Sequence, residues 1–407
     1  MPSHPHRLLP LLALLTVLAI ISTSIYLPSV PAMARAFGAD VAAVQFTLTV
    51  FLIPYALAQL VHGPLSDRFG RRPVLFGGLL VTLLASIACA LAPSIHFLIA
   101  ARIVQGIGAS AGVVVARAVV RDLFTRAEAA RANSIIGMSL AVSPAMGPVL
   151  GGQLQVLYNW HASFLFLTVV AGATLALAWW QLPETNIYRS TRSHASRGLL
   201  AGYRLLLLSP PFWGFAFVIA GAFGGSFAFQ IGAPVTMINL LGISPSTYGW
   251  LAAAPPCGSF VGSILSNMLT LRLGIERLIL IASVIYAAAG LLMASLAVSG
   301  VLDIAALTGP MILFSAGLGL MLPNALAGVV SLFPAYAGTA AALTGCLQML
   351  FAALATFAVG SLPKTSAMPL TLVIAVSGFI GLFGWLLLGR RQAPELLETP
   401  LIPDERP

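Results

Sequence analysis

Apolar residues in this chain do not alternate with polar ones. They come in runs of about twenty or more, separated by short polar turns. Twelve such runs can be marked, at roughly 8–29, 44–64, 73–93, 96–118, 133–157, 161–182, 210–238, 248–270, 276–298, 304–325, 337–362 and 367–389. A helix that crosses the hydrocarbon core of a bilayer needs about 20 mainly apolar residues, so each run predicts one spanning helix. A transmembrane barrel instead shows alternating segments of about ten residues, a pattern missing here. The fold class predicted is an all-α polytopic membrane protein with twelve transmembrane helices and little chain left for a soluble domain.

The longest polar break, residues 183–207, falls after six runs and before six more. It divides the chain into an N-terminal six-helix bundle (1–182), a linker (183–207) and a C-terminal six-helix bundle with a short tail (208–407). Weak internal echoes point to a repeat. RFGRR at 68–72 and RLGIER at 272–277 occupy matching inter-run turns, and Gly106-Ile-Gly is echoed by Gly317-Leu-Gly. Two pseudo-symmetric halves with a ligand held between them is a common transporter plan.

Composition agrees with this pattern. Hydrophobic residues make up 59% of the chain and charged residues 8%, with a mean hydropathy of +0.99. These values exclude the water-soluble globular class. The formal net charge of +9 could suggest a nucleic-acid partner, but its distribution argues otherwise. Of the 20 Lys and Arg, only Arg35 and Lys364 fall on the side opposite the termini, with Arg102 and Arg117 inside runs. That asymmetry is the positive-inside rule and places both termini in the cytoplasm. The apolar part of the first run exceeds a signal-peptide core of about 7–15 residues, so it reads as a span. Cys89, Cys257 and Cys346 all lie in runs and read as packing residues. No cofactor or metal is expected, and the partners expected are a small-molecule substrate, the lipid bilayer and protons, with the chain acting as a monomer.

Candidate chemistry begins with one charged turn, GPLSDRFGRRP at 63–73. Gly63 and Gly70 permit close approach and a tight turn. Asp67, Arg68, Arg71 and Arg72 can make charge-assisted bonds to neighbouring helix ends. The turn resembles the G-x-L-x-D-R-x-G-R-[RK] loop of the major facilitator superfamily, and every fixed position is met. ARIVQGIGAS at 101–110 resembles the R-x-x-Q-G-x-G-A element of the drug-efflux branches. SPAMGPVLGGQL at 143–154 resembles the antiporter signature, with Gly147, Pro148, Gly151 and Gly152 in place and Ser143 standing for the first glycine. With SIYLPSVPAM at 24–33, RAVVRDLF at 117–124 and LPET at 182–185, the chain is similar to the Bcr/CflA drug-resistance subfamily over essentially its whole length. The resemblance implies export of small amphipathic compounds across a bacterial inner membrane by alternating access. It gives the 63–73 turn a switching role and 143–154 an interdomain packing role.

One departure is pronounced. The subfamily often carries an Asp before the Tyr-Leu-Pro of its first span, where this chain has Ser24. No carboxylate is placed at membrane depth, so neutral or anionic substrates are favoured over lipophilic cations. His62 and Asp303 stand as substitutes for the usual intramembrane acid. Arg102, with Gln105 on its helix face, is the intramembrane polar candidate, because an Arg inside a span costs about 2.5–3.5 kcal/mol even on insertion scales. Ser24, Tyr26, Tyr55, Gln59, Phe223, Phe227, Gln230, Asn324 and Gln348 are candidates for an amphipathic substrate cavity. Gly108-Ala-Ser-Ala-Gly112 fits a hydrolase pattern, but inside an apolar helix it lacks the strand-to-turn context that chemistry needs. The chain is therefore not expected to be an enzyme. The nearest alternative is a nutrient or metabolite carrier of the same superfamily without proton antiport.

Overall fold

A computed structural model describes residues 8–186, 202–363 and 365–388. Most of the linker, the C-terminal tail and Lys364 lie outside the described residues. Among those described there is no strand. Besides a short helical stretch at 202–207, fourteen α-helices follow in order: α1 (Leu9–Ser24), α2 (Val30–Phe37), α3 (Val41–Phe69), α4 (Arg71–Ala90), α5 (Ile95–Leu123), α6 (Arg126–Leu157), α7 (Trp160–Gln181), α8 (Pro210–Val235), α9 (Pro245–Leu251), α10 (Ala254–Leu273), α11 (Ile275–Val298), α12 (Ile304–Leu332), α13 (Ala337–Ser361) and α14 (Met368–Leu388).

Among the described residues, eleven spans are long and apolar enough to cross a membrane. The first combines α1 and α2 through a 3-10 turn at Leu27–Ser29, where Pro28 and Pro31 interrupt the regular ladder. The remaining predicted run, 248–270, is not one apolar helix. It is broken at Ala252-Ala253 between α9 and α10, and α10 is too polar to meet the same standard. Its polar residues are spent on packing. Ser259 donates to the Ser315 carbonyl at 3.0 Å, Ser263 to that of Gly319 at 3.3 Å, and Ser266 accepts from Asn324 at 2.8 Å. Small residues bring α10 and α12 backbone to backbone, and their hydroxyls satisfy donors and acceptors that lipid cannot.

Helices before the linker pack mainly on each other, α3 and α4 on α5, α7 on α4 and α1 on α6; those after it do likewise, with α14 on α8 and α10 and α11 on α12. The repeat is visible in the backbone. Gly38 and Gly242 lie 204 residues apart, as do Gly70 and Gly274, and all four hold positive φ at the ends of matching helices. Asp40 and Ser244, the same distance apart, each cap the helix that follows.

Contact between the halves is concentrated at one end. The Gln45 amide donates to the Ile231 carbonyl at 2.8 Å, Thr49 pairs with Thr356 at 2.9 Å, and Gln153 donates to Ser246 at 2.7 Å. Following the chain, this end is opposite the 63–73 turn. Toward the turn, no side-chain hydrogen bond joins the halves among the described residues. The halves are bonded to each other at one end and not at the other.

Candidate functional site

The 63–73 turn is built around Gly70, which ends α3 and starts α4 with φ +106. A side chain there would be strained, and its Cβ would come within 3.0 Å of the Glu184 Cδ. That closeness is functional packing. The Glu184 carboxylate accepts the backbone N–H groups of Arg71 at 2.9 Å and Arg72 at 3.1 Å, capping the N-terminus of α4 where the helix dipole favours an anion. Burial raises the Glu184 pKa, but backbone bonds from Asn186, Arg71, Arg72 and Thr185 outweigh it, so the carboxyl lies below its ordinary value.

Arg71 is the centre of the cluster and is 1% exposed. Its guanidinium pairs with Asp67 at 2.6 Å and Asp122 at 2.8 Å and donates to Ser66 at 2.7 Å. Asn186 donates to the Asp67 carbonyl at 2.7 Å, which ties the chain after α7 to the end of α3. Arg72 lies over the rings of Phe76 and Trp179, 5.1 and 5.4 Å from their centroids, and donates to the Trp179 carbonyl. The cluster thus joins the ends of α3, α4, α5 and α7. Arg68 lies over Phe69 at the exposed edge. Sequence reasoning found the turn but missed Asp122 and Glu184 as its partners. LPET had served only as a branch marker; Glu184 follows the C-terminal end of α7, so nothing local in the sequence points to the α4 N-terminus it caps.

Arg102 does not line an open cavity. It is fully buried inside the N-terminal half, between the rings of Tyr26 and Phe51 at 4.6 and 4.3 Å. It donates to the Ser22 carbonyl at 2.9 Å and to the Gln105 Oε1 at 2.5 Å; Gln105 in turn donates to Ser86 at 2.8 Å. No carboxylate among the described residues reaches it, so the cation is held by carbonyl dipoles and π faces. Tyr26, expected in the substrate cavity, belongs to this box instead. It is fully buried, and its hydroxyl pairs with Thr47 at 3.0 Å.

Ser24 is also displaced from the expected cavity. It is fully buried on α1, and its hydroxyl occupies the space that a side chain at Gly147 would fill. Gly151 packs against the Ile25 carbonyl in the same seam. Gly152 faces the Pro245 carbonyl, and the Pro148 carbonyl faces Gly249, so the other side of the motif meets α9 of the second half. Asn324 is a third departure. It is 3% exposed and bonded to Ser266, Thr270 and the Leu320 carbonyl within the C-terminal half. A helix-interior Asn satisfied three times is a packing residue.

The remaining candidates are spread over several helices. Tyr55 stacks on Phe51 at 5.8 Å, and Phe223 on Phe227 at 6.4 Å. Gln59, Gln230 and Gln348 are half-buried. Gln59 sits beside Gly345 on α13, where α3 meets the second half. Cys257 is exposed rather than packed, while Cys89 and Cys346 are buried. Asp303 caps α12 by accepting from Ala306 at 2.7 Å. A cavity of about 700 Å3 lies among the ends of α8, α11, α12 and α14, lined by Phe215, Gly274, Arg277 and Phe333, and none of the candidates borders it.

Comparison with known proteins agrees with this architecture. The chain matches the model of the Major Facilitator Superfamily over residues 12–356. It is 34% identical over 388 residues to Multidrug resistance protein D of Escherichia coli (strain K12), covering 95% of this chain and 97% of that protein. It is 33% identical over 383 residues to the Chloramphenicol resistance protein of Pseudomonas aeruginosa, covering 90% and 88%. Among solved structures, the D-xylose-proton symporter superposes with a TM-score of 0.75 at 15% identity, covering 95% of this chain and 98% of that one. A bacterial homolog of the human lysosomal transporter Spinster, inward-facing and occupied, superposes with a TM-score of 0.69 at 16% identity, covering 96% and 95%. A polytopic helical chain with a buried arginine cluster joining four helix ends, halves that touch at one end, and these relatives belongs to the Major Facilitator Superfamily and is a transporter rather than an enzyme.

Proposed function

We propose that this transporter exports small amphipathic compounds, including antibiotics, across a bacterial inner membrane in exchange for protons. The observation that carries the reading is the one-ended closure between the halves, set opposite a charged cluster that joins helix ends at the unbonded end. With the termini in the cytoplasm, as the distribution of Arg argues, the unbonded end faces the cytoplasm and the described form is inward-open. Binding of substrate between residues 1–182 and 208–407, joined by the 183–207 linker, drives the halves to rock about the Gln45 and Thr49 contacts. The resistance named for the relatives in E. coli and P. aeruginosa supports a drug-like substrate class. Every described carboxylate sits at a helix end or beyond it, which favours neutral or anionic substrates because a cation would lack a buried counter-ion. Glycine contacts across the seam at 147–152 support the packing role of that segment, and the chain works as a monomer.

The test is accumulation of radiolabelled chloramphenicol in a host stripped of its own pumps. Expression should lower accumulation several-fold, and a protonophore should restore it. Unchanged accumulation across a panel of neutral and anionic antibiotics would remove the exporter reading.

A further inference from the structure

Drug–proton exchange requires a group that takes up and releases a proton within the spans, and the usual acid is missing. Position 24 is Ser, packed against Gly147. Asp303 is engaged as a helix cap, and Asp67 and Asp122 are engaged by Arg71. His161 lies in the first turn of α7, its Nδ1 2.6 Å from the Ala90 carbonyl, at the closed end.

His62 is different. It lies on α3 between the closed end and the charged turn, half-buried, one helical turn from Gln59. Its Nδ1 is 2.8 Å from the Ser110 hydroxyl oxygen on α5. Ser110 already donates its one proton to the Ile107 carbonyl at 2.9 Å. With the hydroxyl proton on the Ile107 carbonyl, the Ser110 oxygen is left to accept from Nδ1, the tautomer in which Nε2 is the basic nitrogen. The ionisable groups on the elements around the ring are Tyr55, Asp67 and Arg68 on α3 itself, Arg117, Arg121 and Asp122 beyond Ser110 on α5, Cys346 on α13, and Arg71, Arg72 and Cys89 on α4.

We propose that His62 is the proton-exchange residue of the transport cycle, its ring fixed by Ser110 so that Nε2 carries the mobile proton. This rests on the exporter reading above. In the outward-open form Nε2 takes one proton from external water and the ring becomes cationic. In the inward-open form the Nε2–H bond breaks, that proton passes to cytoplasmic water, and the ring returns to neutral. Substrate held against Tyr55 and Gln59 on the same face of α3 excludes the protonated form, so the two alternate.

The experiment uses the full chain in proteoliposomes, with chloramphenicol as probe and a trapped pH dye. Wild type should accumulate chloramphenicol against a pH gradient with matching proton counterflow. His62→Gln keeps a donor to Ser110 but cannot titrate. It should retain chloramphenicol exchange at equal pH, lose gradient-driven accumulation more than tenfold, and show a flat rate from pH 5.5 to 8. Purified wild type in weak buffer should release a proton on adding chloramphenicol, and His62→Gln should release none. Ser110→Ala should keep coupling with a displaced pH midpoint. Gradient-driven accumulation and proton release persisting in His62→Gln would overturn the proposal alone. Wild type that moves no chloramphenicol, even in exchange, would overturn the exporter reading and the proposal with it.

Discussion

Arg102 shows how a single ionised side chain can be retained in an apolar bundle. It has no acid beside it, yet it is fully buried, with two rings and a chain of neutral acceptors around it. The planar guanidinium matters more than the charge, because it stacks between Tyr26 and Phe51 while donating at its edge. Arg102→Lys keeps the charge but loses both the stacking and the forked donors. It should destabilise the protein by about 2–4 kcal/mol, read as a lower melting temperature in detergent. A melting curve unchanged from wild type would show that charge alone suffices. Sequence reasoning located Arg102 and Gln105 correctly on one face but placed that face toward a cavity. A helix that is apolar on all sides gives no sign of which polar residue faces a neighbour and which faces solvent. Ser24, Tyr26 and Asn324 were misplaced for the same reason.

At the scale of elements, the N-terminus of α4 is held by a residue more than a hundred positions away. Glu184 keeps its charge because four backbone N–H groups favour the ionised form. Its contribution to stability is therefore fully present above the ordinary carboxylate value, about 4.3, and is lost as pH falls through the depressed folded value. Glu184→Gln should cost about 1 kcal/mol, discounted for partial exposure, and should abolish the part of the acid-induced loss of stability that wild type shows below pH ~4. Melting temperatures of both proteins from pH 3 to 7 would check this; parallel curves would remove Glu184 as the anion at that helix end. Helix positions were largely legible from the runs, and Gly70 and the arginines from the motif. The partners of the turn were not, because Asp122 and Glu184 become its neighbours only once α5 and α7 return to the same end of the bundle. The run at 248–270 reads as one apolar crossing in the sequence, whereas it is broken at Ala252-Ala253 and its second part is less apolar than the other spans. The serines of its second part only make sense beside the backbone of α12.

For the whole molecule, closure at one end is the property that can be trapped. Thr49 on α3 and Thr356 on α13 place their hydroxyl oxygens 2.9 Å apart across the halves. Thr49→Cys with Thr356→Cys, in a background carrying Cys257→Ala because Cys257 is exposed, should form a disulfide under mild oxidation. Oxidised protein should lose transport at least tenfold and regain it with reductant. Full activity in the cross-linked state would mean that this end does not need to open. The two-half plan was legible from the linker and from echoes at the charged turns. Gly70 and Gly274, 204 residues apart, hold positive φ in the two echoed turns; the Gly106 and Gly317 echo has no such counterpart.

The seam between Ser24 and Gly147 limits what position 147 can hold. The hydroxyl at 24 already fills the volume a Cβ at 147 would need, so Gly147 cannot gain a side chain while Ser24 stays where it is. Any enlargement at 147 has to be matched by a loosening of the contact between the first and fifth crossings.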